Sequence, residues 1–181
     1  MDKRIVFSGS GGQGVITAAI ILAEAAALFE NLNAVQTQSY GPEARGGATR
    51  ADVIISKAPI HHPKVINPHI LICLTQVAYN KNAGIVRPGG LMLTDTKFVK
   101  IDYNVDARQV ELEMYRTVME KIGKPIVFNI CMLGALLELT GLVKPASIME
   151  VLKEKIPKDF MIMNEAALEA GIQLARSLRK N

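Results

Sequence analysis

Three glycines, Gly9, Gly11 and Gly14, stand between a strand-like stretch and a helix-like one. Residues 4–7 are Arg-Ile-Val-Phe, rich in the β-branched and aromatic side chains that suit a strand. Residues 15–29 are mostly Ala, Ile and Leu, with no Gly or Pro to interrupt a helix. The glycines have G-x-G-x-x-G spacing, and strand–turn–helix is the setting in which that spacing carries a mechanism. Glycine permits a tight turn and lets the backbone approach a ligand or the sheet. The helix start offers unpaired N–H groups and the positive end of a dipole, a seat for phosphate or carboxylate. Gly9, Gly11, Gly12, Gln13 and Gly14 are therefore the first candidate binding residues. The expected fold is α/β, a three-layer, Rossmann-like, mostly parallel sheet with helices on both faces.

A complete dinucleotide fingerprint also needs a carboxylate about 20 residues on, at the end of the second strand. Here that strand ends Val35-Gln36-Thr37-Gln38-Ser39, while Glu24 and Glu30 belong to the helix and its exit. The turn is of Rossmann type, but a ribose has nothing to grip it.

Later segments continue the α/β alternation. Strands are expected at residues 34–39 and 48–56, separated by a loop of three glycines, a proline and a charged pair. The run Ile70-Leu71-Ile72-Cys73-Leu74 is continuously apolar, as in a central parallel strand. A helix at 75–83 and a strand at 91–94 follow, and 101–105 reads as an edge strand. Helical spacing covers 111–122, residues 126–128 read as a last short strand, and Asn129 is placed to cap a helix over 130–140. Two more helices are expected at 145–155 and 164–178. With no repeat, linker or low-complexity tract, residues 1–181 read as a single α/β domain.

The first helix has only Thr17 and Glu24 as polar residues, so it should be covered on both sides. Its second cover is either its own domain or another protein. Net charge is +4 without a basic stripe, and aromatic residues make up 5% of the chain, which argues against a nucleic-acid surface. The chain opens Met1-Asp2-Lys3 into the first strand, and residues 15–29 are too short to span a bilayer; no membrane role and a cytoplasmic location are expected. Cys73 and Cys131 belong to no C-x-x-C pair and read as buried thiols of a reducing compartment. The neighbours His61 and His62 would face opposite ways on an extended chain, a poor metal pair.

No catalytic set emerges. H-E-x-x-H, G-x-S-x-G and the P-loop pattern are all missing, and no Lys follows Gly14 to meet a triphosphate. Asp52 and Asp95 are lone carboxylates that could act as bases. An anion pocket without catalytic residues suits a subunit that positions something for another chain. The alternative is a stand-alone Rossmann-type dinucleotide- or anion-binding protein.

Two motifs make the first of these concrete. Gly9-Ser10-Gly11-Gly12-Gln13-Gly14-Val15 and Ser39-Tyr40-Gly41-Pro42-Glu43-Ala44-Arg45-Gly46-Gly47, followed by Ala51-Asp52-Val53-Ile54-Ile55-Ser56, resemble the gamma subunit of 2-oxoacid:ferredoxin oxidoreductases. Gln76-Val77-Ala78-Tyr79, Gly89-Gly90 and Asn129-Ile130-Cys131-Met132-Leu133-Gly134 match too, so the likeness runs along nearly the whole chain. The form Pro42-Glu43-Ala44-Arg45-Gly46-Gly47 is closer to the 2-oxoglutarate branch than to the pyruvate branch. The resemblance implies a complex that turns a 2-oxoacid and coenzyme A into acyl-CoA and CO2 while reducing ferredoxin. It implies alpha, beta and delta type partners that carry thiamine diphosphate and [4Fe-4S] clusters, with no cofactor, catalytic residue or metal on this chain alone. Tyr40 and Arg45 then join the glycine turn as candidate cofactor contacts, since Arg is shaped to hold the phosphates of coenzyme A. Arg45 could equally pair with Glu43 or with a partner's carboxylate.

Overall fold

A computed structural model of the chain describes residues 2–39 and 48–178. Six strands form one sheet in the order β2-β3-β1-β4-β5-β6. They are β1 (Asp2–Gly9), β2 (Asn33–Ser39), β3 (Thr49–Ser56), β4 (Ile70–Cys73), β5 (Gly90–Asp95) and β6 (Ala107–Leu112). β1, β4, β5 and β6 pair in parallel, whereas β3 runs antiparallel to both β1 and β2. Only β3 points against the rest, so the sheet is mostly parallel, as expected. The pairing Ser39↔Arg50 places the end of β2 and the start of β3 on the same sheet edge as the glycine turn, where Gly9 pairs with Thr49.

Alternation along the strands feeds two apolar layers. Ile5, Phe7, Ile72 and Leu93 face one side, and Val6, Leu71, Cys73 and Met92 face the other. The first side carries α1 (Val15–Phe29), α3 (Met114–Lys121), α4 (Phe128–Thr140), α5 (Pro145–Lys155) and α6 (Met161–Ser177). The second carries α2 (Gln76–Asn82), whose start is capped by Thr75 Oγ1 accepting from Ala78 N–H. This gives the three layers with helices on both faces.

α1 lies on β1, β2 and β3 and is backed by α4 and α5, which accounts for its lack of a polar face. Its outer cover is thus the chain itself, and only its end, at Leu28 and Phe29, presents large apolar groups to solvent. α4 and α6 meet more closely still. A Cβ on Gly171 would fall 1.9 Å from the Cys131 carbonyl oxygen, and one on Gly134 2.0 Å from that of Leu168. Backbone rests on backbone at this crossing.

Four expectations change. Residues 101–105 form no strand; Asp102 N–H is held by Tyr79 Oη and its carboxylate turns back to Asn104 N–H, and the edge strand is β6. The helix expected over 111–122 begins only at Met114, because Glu111 and Leu112 pair with Thr94 and Asp95 of β5. Residues 126–128 are not a strand. Pro125–Val127 make a single 3-10 turn into α4, with proline at the position where a missing N–H costs nothing. Asn129 consequently lies inside the first turn of α4 and caps nothing.

Candidate functional site

The glycine turn closes on itself through one side chain. Gln13 Oε1 accepts from Ser10 N–H at 2.8 Å, and Gln13 Nε2 donates to the Leu74 carbonyl at 3.0 Å. The turn is thereby tied to the end of β4. Gln13 is thus a brace whose amide is directed into the protein.

The four glycines of the turn divide into two kinds. A Cβ on Gly9 would meet Gln13 Oε1 at 2.6 Å, and one on Gly14 would meet Asn129 Nδ2 at 2.6 Å. Gly14 also has φ 71°, the left-handed region, and stands as the N-cap of α1 without any side-chain cap. Gly11 and Gly12, by contrast, are exposed and have open space where a Cβ would be. Among the described residues no side chain caps the first N–H groups of α1.

Beside the turn a cavity of about 460 Å³ runs between Gly12, Gly14 and Thr17 on one wall and Ile126, Phe160 and Met163 on the other. Asn129 lies between the two. Its Nδ2 donates to the Gly14 carbonyl at 3.3 Å, while its buried Oδ1 has no partner among the described residues. The sequence assigned Asn129 to capping and missed this placement. The only available signal was a lone amide in an otherwise apolar helix start.

Tyr40 and Arg45 lie outside the described residues. A second cavity, of about 530 Å³, takes in Ser8, Ser39, Arg50, Asp52 and Asn82. Asp52 is held there by Arg50 in a two-pronged pair at 2.6 and 2.9 Å. Asp95 is no more available as a base. It is fully buried, Oδ1 accepting from Lys97 N–H at 2.9 Å and Oδ2 from Tyr115 N–H at 2.7 Å, so it fixes the start of α3. Burial pushes its carboxyl above the ordinary range, against the pull of the backbone N–H groups of Tyr115, Lys97 and Met114.

The thiols point the same way. Cys73 and Cys131 are free and buried, each pushed up to about 12 by burial. Thiolate is the form that ligates iron or zinc, so these side chains do not fit a cluster. Among the described residues no group of three or more His, Cys, Asp or Glu side chains converges on a metal position. His61 and His62 are exposed on an irregular connection. No helix among the described residues is long and apolar enough to cross a membrane.

The family model for pyruvate ferredoxin/flavodoxin oxidoreductase matches residues 4–174. The chain belongs to this family. A curated relative within it, 2-oxoglutarate synthase subunit KorC of Methanocaldococcus jannaschii, is 46% identical over 180 residues, covering 98% of this chain and 96% of its own. Among solved structures, the gamma subunit of a keto/oxoacid ferredoxin oxidoreductase from Geobacter sulfurreducens PCA superposes with a TM-score of 0.87 at 36% identity, covering 97% of this chain and 99% of that one. The 2-oxoglutarate:ferredoxin oxidoreductase of Magnetococcus marinus, solved with 2-oxoglutarate, coenzyme A and succinyl-CoA bound, has the same fold at TM-score 0.88 and 22% identity. There the match covers 97% of this chain but 31% of the other, so the oxidoreductase fold unit seen here also occurs within a longer polypeptide.

Proposed function

We propose that this chain is the non-catalytic gamma-type subunit of an oxidoreductase that converts 2-oxoglutarate and coenzyme A to an acyl-CoA and CO2, passing two electrons to ferredoxin. The observation that carries this reading is the end-to-end similarity to KorC, 46% identical with 96% of the relative covered. The chain acts as one α/β domain within a cytoplasmic assembly whose alpha, beta and delta type subunits supply thiamine diphosphate and [4Fe-4S] clusters. The buried, unionised thiols of this chain support placing the clusters elsewhere.

In this reading the glycine turn is a seat for the anionic part of coenzyme A. Gly11 and Gly12 let it approach the backbone, and the uncapped start of α1 supplies N–H donors and positive potential. Gln13 keeps the turn in shape, and Tyr40 and Arg45 are proposed as further contacts of coenzyme A.

Coexpression with the partner subunits tests the assignment. The purified complex should contain this chain and reduce ferredoxin with 2-oxoglutarate at a kcat/KM at least about tenfold above that with pyruvate, a margin of roughly 1.4 kcal/mol. Failure to copurify, or a preference for pyruvate, contradicts it. The isolated chain should be colourless.

A further inference from the structure

At the sheet edge opposite the glycine turn, four basic side chains gather around one cavity. Lys3 stands at the start of β1, His69 just before β4, Arg87 before β5, and Arg108 at the start of β6. Together with Gly89 and Thr140 they line a space of about 470 Å³, within the range of small-molecule sites.

Charge at this edge is not balanced. Asp2, the nearest carboxylate on β1, is taken by Arg4 at 3.3 Å. Lys3, Arg87 and Arg108 make no ion pair among the described residues. The end of α4, which comes in at Thr140, brings about half a negative charge. Asp106, whose carbonyl holds Gly89 N–H, can neutralise one cation at most. More than one positive charge remains in excess.

His69 adds a neutral donor. Its Nδ1 accepts from Arg4 N–H at 3.1 Å, which leaves the ring proton on Nε2, and no described residue accepts that proton. Burial first, then the nearby Arg87, Lys3 and Arg4, lower the tendency of this imidazole to protonate, with Asp2 opposing them. The field of the cations thus reaches the ring.

Charge selects the ligand. β1 and β6 are separated by β4 and β5, which at about 4.8 Å per strand puts Lys3 and Arg108 backbones ~14 Å apart. Three cations spread over this width, with more than one positive charge in excess, suit an anion that carries more than one acidic group. We propose that this cavity binds a small anion with at least two acidic groups, of the diphosphate class, gripped by Arg87, Arg108 and Lys3 and given a further N–H by His69.

The test uses the full chain and inorganic pyrophosphate, followed by NMR of the histidine ring protons at constant ionic strength. Pyrophosphate should move the His69 signal saturably and raise its titration midpoint, leaving His61 and His62 unchanged. It should bind at least tenfold more tightly than orthophosphate. Arg87→Gln and Arg108→Gln, both at exposed positions, should each weaken it at least fivefold while keeping the thermal midpoint. A response no larger than that to chloride of equal ionic strength would overturn the proposal. So would equal affinity for orthophosphate, or an unchanged affinity in the double variant.

Discussion

Two sets of glycines in this molecule do opposite things. At the crossing of α4 and α6, Gly134 and Gly171 are closed in by carbonyl oxygens 2.0 and 1.9 Å from where a Cβ would stand. In the turn after β1, Gly11 and Gly12 face empty space. One set lets two helices touch, and the other leaves a backbone bare. The turn itself is mixed, because Gly9 and Gly14 are packed against Gln13 and Asn129. A glycine motif therefore marks the turn without saying which of its members could meet a ligand.

The largest effect should come from the helix crossing. Gly171→Ala forces α4 and α6 apart and should cost about 3 kcal/mol or more, lowering Tm by roughly 6–12 °C. Calorimetry on the isolated chain would check this. A loss under about 1 kcal/mol would mean that the crossing is not close-packed.

Asp95 sharpens the comparison at the same sheet edge as the turn, since it shows a site that is filled by the protein itself. Asp95→Asn turns an amide N–H toward the N–H of Lys97 or Tyr115 and should cost about 1–3 kcal/mol. The carboxyl has a higher pKa in the folded than in the unfolded chain, so the folded state holds its proton more tightly. The stability it contributes is greatest below the unfolded value near 3.8 and falls as pH rises through the folded value. Denaturation curves across that range should show the slope in the native chain, and a flatter slope in Asp95→Asn.

Gly14→Ala comes next. A left-handed backbone with a Cβ costs about 1–2 kcal/mol, and Asn129 must also move from the Gly14 carbonyl. Hydrogen exchange at the start of α1 should quicken. If it stays unchanged, the N-cap does not depend on glycine.

How much of this was legible follows the same division. α1 at residues 15–29 and α5 at residues 145–155 have the bounds their composition predicts, because Gly14 precedes one helix and proline opens the other. The reversal of β3 was implicit in the short connection at 40–47, which leaves no room for the crossover that parallel pairing needs. Residues 126–128 misled because three apolar residues after a proline suit a strand or a helix start equally, and only packing decides. Gly134 and Gly171 gave no local sign, since their role arises between helices far apart in sequence. In the site, the turn and its open helix start were legible from spacing. The part played by Asn129 was not, because it depends on where α4 ends up in space.

The smallest structural change is the most direct test of the proposed coenzyme A seat. Gly11→Ala adds a methyl group into open space, and should leave stability unchanged or raise it by about 0.4–1 kcal/mol through the unfolded chain. If the anionic part of coenzyme A lies against this backbone, that methyl group takes its place. The measurement is the KM for coenzyme A of the assembled oxidoreductase carrying Gly11→Ala. A coenzyme A seat at this backbone gives a rise of about tenfold, equivalent to roughly 1.4 kcal/mol, with the KM for 2-oxoglutarate unchanged. An intact complex with the native KM for coenzyme A would contradict it.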